Sequence, residues 1–372
     1  MDTNTQLKYN TPVFKKDQPD DNYKFQSLPE PSGNYPYHLA LASMLPFPSN
    51  QKLVFHMVGD TGSIRRDDFQ RSVSQAMATQ FQRPKKVDQP KFLFHLGDIV
   101  YDFGEAANYA NQFFKTYTDY PGPIVAIAGN HDSDVNPASD IPYQSLDAFT
   151  TVFCDMQPNK VVFSDGDRRK SVTQPNVYWT LETPLANIIG LHTNVPKYGA
   201  ITNVQRDWFV NELKNAGMER PDKALILCMH HAPYSADVNH GSSKPMIEFL
   251  ESAFDETGVR PDIVFSGHVH NYQRFTKKYA DGTKILFVVA GAGGYDELHT
   301  IAKVDDERFT NDDVMLKDVT LNASCDDKFG FLEIALERKA AGVELTGKYH
   351  TVRVNTVSVD TSLTDEFNVR VK

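Results

Sequence analysis

Five apolar stretches in this chain end by delivering a carboxylate, an amide or an imidazole, nearly all with a glycine or another turn residue beside it. That repeated ending restricts the fold more than any other feature. The stretches are "KLVFHMVGD", ending in Asp60; "FLFHLGDIVY", carrying Asp98 and Tyr101; "PIVAIAGNHD", carrying Asn130, His131 and Asp132; "KALILCMHHAP", carrying His230 and His231; and "PDIVFSGHVH", carrying His268 and His270. Short runs rich in Val, Ile, Leu and Phe, bounded by turn residues, read as buried strands. Between them lie segments with helical spacing: 67–81, with Phe69, Val73, Ala76, Met77 and Phe81 on one face; 105 to about 117; "VQRDWFVNELKNAG" ending at Gly217; and 244–256.

Strands alternating with helices predict a layered α/β fold with mostly parallel strands. Two further strands, "NVYWTLET" and "ANIIGLHT", follow a long polar stretch over 132–175 that reads as surface loops. They predict a second, partly antiparallel sheet. The expected architecture is therefore a two-sheet β-sandwich flanked by helices, closed by a hairpin from "FGFLEIALER" and "VELTGKYHTV". Residues 1–50 are polar and proline-rich and read as an irregular extension with little core of its own. Residues 51–350 form the expected main domain, and 351–372 a tail or edge strand.

The net charge of −10 argues against nucleic acid as the main partner, since phosphate backbones select basic surfaces. An anionic small molecule would instead need local positive charge, which a bound cation can supply. No stretch approaches the roughly 18 apolar residues of a membrane span, and the N-terminal residues lack the apolar core of a signal peptide. The chain as written reads as cytoplasmic, or as secreted if a signal has been removed. Cys154, Cys228 and Cys325 are widely spaced and odd in number, so they read as buried free thiols rather than a disulfide framework or a metal set.

In an open α/β sheet the ligand crevice lies beyond the carboxyl ends of the strands. There the five endings converge. Each alone has a plain structural explanation: a strand-end Asp caps a helix, a Tyr packs at a rim, and tandem histidines divide between core and surface. Together they amount to two carboxylates, an amide oxygen, a phenol and at least three imidazoles, too many for one tetrahedral zinc. They suffice for two ions sharing a bridging carboxylate, the arrangement that serves in-line displacement at phosphorus. Asp98, in the middle of the series, is the expected bridge. A phenolate favours a hard trivalent ion, so Tyr101 points to iron(III).

With these motifs the sequence resembles the calcineurin-like metallophosphoesterases, whose pattern runs Asp-x-His, Gly-Asp-x-x-Asp, Gly-Asn-His-Asp/Glu, a later His, and Gly-His-x-His. Two departures, Gly62 in place of the first His and Tyr101 in place of the second acid, are those of the purple acid phosphatases. The resemblance runs from 52 to about 350 and suits the small, single-domain type. It implies that Asp60, Tyr101 and His270 hold iron(III), that Asp98 bridges, and that Asn130, His231 and His268 hold a divalent iron, zinc or manganese. His231 is preferred to His230 there because His231-Ala232-Pro233 meets the family's His-x-Pro pattern, and because His240 follows nine residues later, as a substrate histidine does in the family. His131 and His240 are then the implied substrate-contacting and leaving-group residues. The expected activity is hydrolysis of small phosphomonoesters, releasing inorganic phosphate, by in-line attack of a metal-bound hydroxide. The alternatives are a phosphodiesterase acting on nucleotides and a phosphate-binding scaffold without turnover.

Overall fold

The computed structural model describes residues 7–354 and 359–371. Two sheets lie face to face. One has eight strands, in the spatial order Val319–Cys325, Tyr272–Lys278, Lys284–Ala290, Ile263–Ser266, Ala224–Met229, Ala186–Gly190, Trp179–Glu182 and His38–Ala40. The other has six, in the order Val359–Arg370, Gly342–Val354, Gly330–Lys339, Lys52–Val58, Leu93–His95 and Ile124–Ala126. Four consecutive strands of the first sheet, from Ala186–Gly190 to Lys284–Ala290, pair in parallel, as do the three from Lys52–Val58 to Ile124–Ala126 in the second. Parallel pairing sends all their carboxyl ends to one edge of the sandwich, which is where the ligand-bearing turns are.

The two faces of each strand are sorted by the two-residue period. Leu53, Phe55, Met57 and Phe94 from one sheet meet Trp179, Ile188, Ile226, Cys228 and Phe265 from the other in the inter-sheet core. The alternate residues Ile189, Leu225, Leu227, Met229 and Val264 belong to the outer core, with Trp208, Phe209 and Leu213 of helix Asn203–Gly217 and Leu250 and Phe254 of helix Lys244–Thr257. Helix Asp68–Thr79 packs on the outer face of the six-stranded sheet, against Gly330–Lys339, Gly342–Val354 and Val359–Arg370, and buries Val73, Ala76 and Met77. Both long helices start on a side-chain cap: Thr202 Oγ1 accepts from Gln205 N, and Ser243 Oγ from Met246 N. The α/β/β/α layering is the one expected from the sequence.

Three details differ from the sequence reading. The segment after Glu105 is a short α-helix, Ala106–Tyr109, running into a π-helical turn, Ala110–Phe114. The polar stretch 132–175 contains a helix, Asp147–Phe153, that buries Phe149 and Phe153. The N-terminal residues are not peripheral: Val13 and Leu41 are fully buried, and His38–Ala40 extends the eight-stranded sheet beside Trp179–Glu182. Their apolar residues are too scattered to show a period, so only pairing reveals the strand. The three cysteines are free and buried. Among the described residues no helix is long and apolar enough to cross a membrane.

Candidate metal centre

The site begins with backbone placement. Asp60, Asp98 and His268 all sit in the left-handed region, with φ of 58°, 52° and 67°. Such conformations cost about 1 kcal/mol or more apiece for residues with a Cβ, and they gather at sites where the surroundings enforce them. The enforcement is visible. Asp60 N donates to Gly97 O at 3.0 Å and Thr61 N to Asp98 O at 3.1 Å, locking the first two turns together. Asp132, fully buried, accepts from Ile99 N, Val100 N and Gly129 N at 3.0, 3.1 and 2.8 Å. It thereby ties the Asp98 turn to the Asn130 turn.

Two glycines are required by close approach. A Cβ on Gly129 would lie 2.1 Å from Asp98 Oδ1. One on Gly62 would lie 2.6 Å from Gln112 Oε1 and 2.7 Å from Ile99 O. Gln112 Oε1 is the acceptor for Tyr101 N, at 2.9 Å. The space that a histidine at position 62 would fill is thus taken by the group that anchors Tyr101. The two sequence departures are one packing solution.

The side chains then converge. Tyr101 Oη lies 2.8 Å from Asp98 Oδ2, 3.3 Å from Asp60 Oδ1 and 3.2 Å from His270 Nε2. His270 Nδ1 is 3.2 Å from Glu297 O. A carbonyl only accepts, so that contact puts the proton on Nδ1 and leaves the Nε2 lone pair toward the phenol. A second group adjoins the first. Asn130 Oδ1 is 2.9 Å from His268 Nδ1 and 3.1 Å from His230 Nε2, and His230 Nε2 is 3.3 Å from Asp98 Oδ2. Asp98, His230 and His268 offer ligand atoms that all lie within 4.8 Å of one another. Asp98 belongs to both groups, as a bridge would.

His231, expected in this group from the sequence, lies beside it. Its Nδ1 is 2.7 Å from Thr193 Oγ1, its Nε2 has no hydrogen-bond partner, and its ring lies 4.2 Å from that of His268. It is His230, with Nδ1 held 2.9 Å from Leu96 O, that faces Asp98 and Asn130. Strand parity explains the exchange. Ile226 and Cys228 face the inter-sheet core whereas Leu225, Leu227 and Met229 face the helices, so the next residue inward is His230. The His-x-Pro pattern carried no such directional information.

His131 stands half-buried beside Tyr101, ring centroids 4.3 Å apart, with its N–H donating to Asp98 Oδ1 at 2.9 Å and Nδ1 2.6 Å from Asp102 O. The His240 ring is 4.1 Å from that of His268. Two residues that sequence reading did not select also border the site. Tyr295 packs against Tyr101 and His270 at 4.2 and 4.5 Å, and the His299 ring stacks on His270 at 4.4 Å. Both come from the loop after Lys284–Ala290, where no motif marks them.

The electrostatics suit a cation. Burial, then the charge of Asp98, raises the Tyr101 phenol well above its ordinary value, so ionising it requires a positive charge at the site. Burial pushes Asp60 up likewise, against the pull of His230. At Asp98 burial also opposes charge, but His230 and His131 outweigh it and hold the carboxyl below its usual range. Burial would lower His230, yet the Asp98 carboxylate lifts it to about 9. His230 thus carries the proton that balances Asp98, in the place a cation would take. Burial and neighbouring histidines keep His268 and His270 neutral, the form that ligates. Crowded anions, neutral imidazoles and unpaired buried nitrogens on His231 and His268 together fit a metal-binding centre.

Residues 53–272 match the family model of the calcineurin-like phosphoesterases. Purple acid phosphatase 18 of Arabidopsis thaliana is 26% identical over 227 residues, 57% of this chain and 46% of that protein. Purple acid phosphatase 1 of Ipomoea batatas is 27% identical over 232 residues, 59% of this chain and 42% of that one. The chain thus spans less than half the length of these relatives. Among solved structures, GAP50, described as the anchor in the inner membrane complex of Plasmodium, superposes with a TM-score of 0.52 at 14% identity, covering 85% of this chain and 90% of that one. At that identity the likeness is one of fold.

Proposed function

The chain belongs to the calcineurin-like phosphoesterase family, and from that premise we propose that it is a binuclear metal-dependent phosphatase acting on small phosphomonoesters. The observation that carries this reading is the position of Asp98. Its Oδ2 is shared between the Tyr101 phenol and the His230 imidazole, each the centre of a separate ligand group.

Asp60, Tyr101 and His270 would hold one ion, Asn130, His230 and His268 the other, and Asp98 both. The phenol suits iron(III) in the first position, and the Asn-His-His set accepts iron, zinc or manganese in the second. Two bound cations supply Lewis-acid charge to the phosphoryl oxygens and lower the pKa of water. The protein's own part is placement and proton handling. His131 Nδ1 donates to Asp102 O, which leaves Nε2 as the atom that takes or gives a proton at a substrate oxygen. His240, beside His268, is the second imidazole available for the leaving group.

Two measurements test the reading. With the metal-loaded protein, kcat/KM for a chromogenic phosphomonoester is expected to exceed that for the matching diester by at least about tenfold, and inorganic phosphate to inhibit competitively. A preference for the diester would replace the monoesterase assignment with the phosphodiesterase one. In the iron-loaded protein a broad mid-visible absorption is expected, and it should vanish in Tyr101→Phe while iron remains bound. A spectrum that Tyr101→Phe leaves unchanged would remove the phenol from the first ion's ligands.

A further inference from the structure

Beside the centre lies a second set of potential ligands that the reading above does not use. Asp237 is fully buried in the loop after Ala224–Met229, and its Oδ2 accepts from Asn239 N and His240 N at 2.9 and 2.7 Å. Its other oxygen, Oδ1, has no hydrogen-bond partner. His240 Nδ1 is likewise buried without a partner, while His299 turns Nδ1 toward Asp237 Oδ1 and Nε2 toward Asn239 Nδ2 at 3.2 Å. Buried polar atoms left without hydrogen bonds are costly, so this group calls for an occupant.

The three residues each offer a ligand atom within 4.8 Å of the other two. Asp237 Oδ1 and His299 Nδ1 are 3.4 Å apart. Two atoms bound to one zinc-like ion at about 2.1 Å in tetrahedral geometry stand about 3.4 Å apart. The scaffold holds both loops in place. Asp237 pairs with Ile301 in an isolated bridge, His299 N donates to His270 O at 3.0 Å, and Asn271 Nδ2 donates to His299 O at 2.8 Å.

We propose that Asp237, His240 and His299 form a third cation site, separate from the binuclear centre and selective for a borderline divalent transition ion such as zinc. Two imidazoles and one carboxylate are a ligand set that zinc takes with a fourth position open. Binding through His240 Nδ1 fixes the proton of that ring on Nε2. His240 then meets a phosphate oxygen as a donor of settled tautomer.

The test counts metal. The full chain is saturated with zinc, freed of loosely bound ion by gel filtration, and its zinc per chain measured by mass spectrometry. The inference predicts about three equivalents in the wild type and about two in His299→Ala and in Asp237→Asn. The ligand-preserving His299→Cys is expected to return to three, which separates loss of a ligand from loss of fold. Two equivalents in the wild type, unchanged in both variants, would overturn it and mean that Asp237 simply accepts the His299 Nδ1 proton. The outcome is independent of the phosphatase reading. One equivalent that disappears in His299→Ala would support the third site and sink the binuclear centre.

Discussion

Asp98→Asn is expected to lower kcat/KM for a phosphomonoester by on the order of 10³ or more, equivalent to about 4 kcal/mol of transition-state stabilisation. One carboxylate serves both ligand groups in this structure. Oδ1 accepts from His131 N, and Oδ2 stands between Tyr101 Oη at 2.8 Å and His230 Nε2 at 3.3 Å. An amide keeps the shape and one acceptor but removes the charge that draws cations into both groups at once. The loss is therefore expected in metal content as well as in rate, with one or both ions released. The fold should survive, because Asp132 and not Asp98 carries the hydrogen bonds from Ile99, Val100 and Gly129 that tie the turns. Steady-state kinetics, metal analysis and a thermal unfolding midpoint on one preparation check the three statements together. Activity within tenfold of wild type would remove Asp98 as the bridge.

The second large effect separates neighbouring residues. His230→Ala is expected to cost on the order of 10² to 10³ in kcat/KM and to release the divalent ion, whereas His231→Ala should cost less than about tenfold. His230 Nε2 points between Asp98 and Asn130 with Nδ1 anchored on Leu96 O. His231 is anchored on Thr193 and contacts the ring of His268. Its removal would take a buried imidazole from the wall beside His268 but leave the His230 Nε2 that faces Asp98 and Asn130. The reverse ranking would restore the His-x-Pro assignment. Measuring both variants at saturating metal distinguishes lost affinity from lost chemistry.

The pair also shows how far sequence reasoning reaches. That Asp60, Asp98, Tyr101, Asn130, His268 and His270 converge was legible because each is a polar residue set where an apolar run ends, and parallel strands bring such ends to one edge. The pairing of Gly62 with Tyr101 was visible as a pattern, but its cause was not. Gln112, from the helical turn beyond Glu105, occupies the space and holds Tyr101 N. The strand at His38–Ala40 was missed because a three-residue edge strand carries too few positions to show a period.

What the sequence determined by itself is local: which segments are strands, which helices cover them, and which chemistry stands at each strand end. These follow from periodicity and residue type, which need only neighbours along the chain. What the tertiary structure decided is directional and distant. It set which of two adjacent histidines faces Asp98 and Asn130, because that depends on the register of the strand against its sheet. It bent Asp60, Asp98 and His268 into the left-handed region, because bonds from other turns hold them there. It also brought His299 to within 3.4 Å of Asp237, from a loop sixty residues away that no local signal connects.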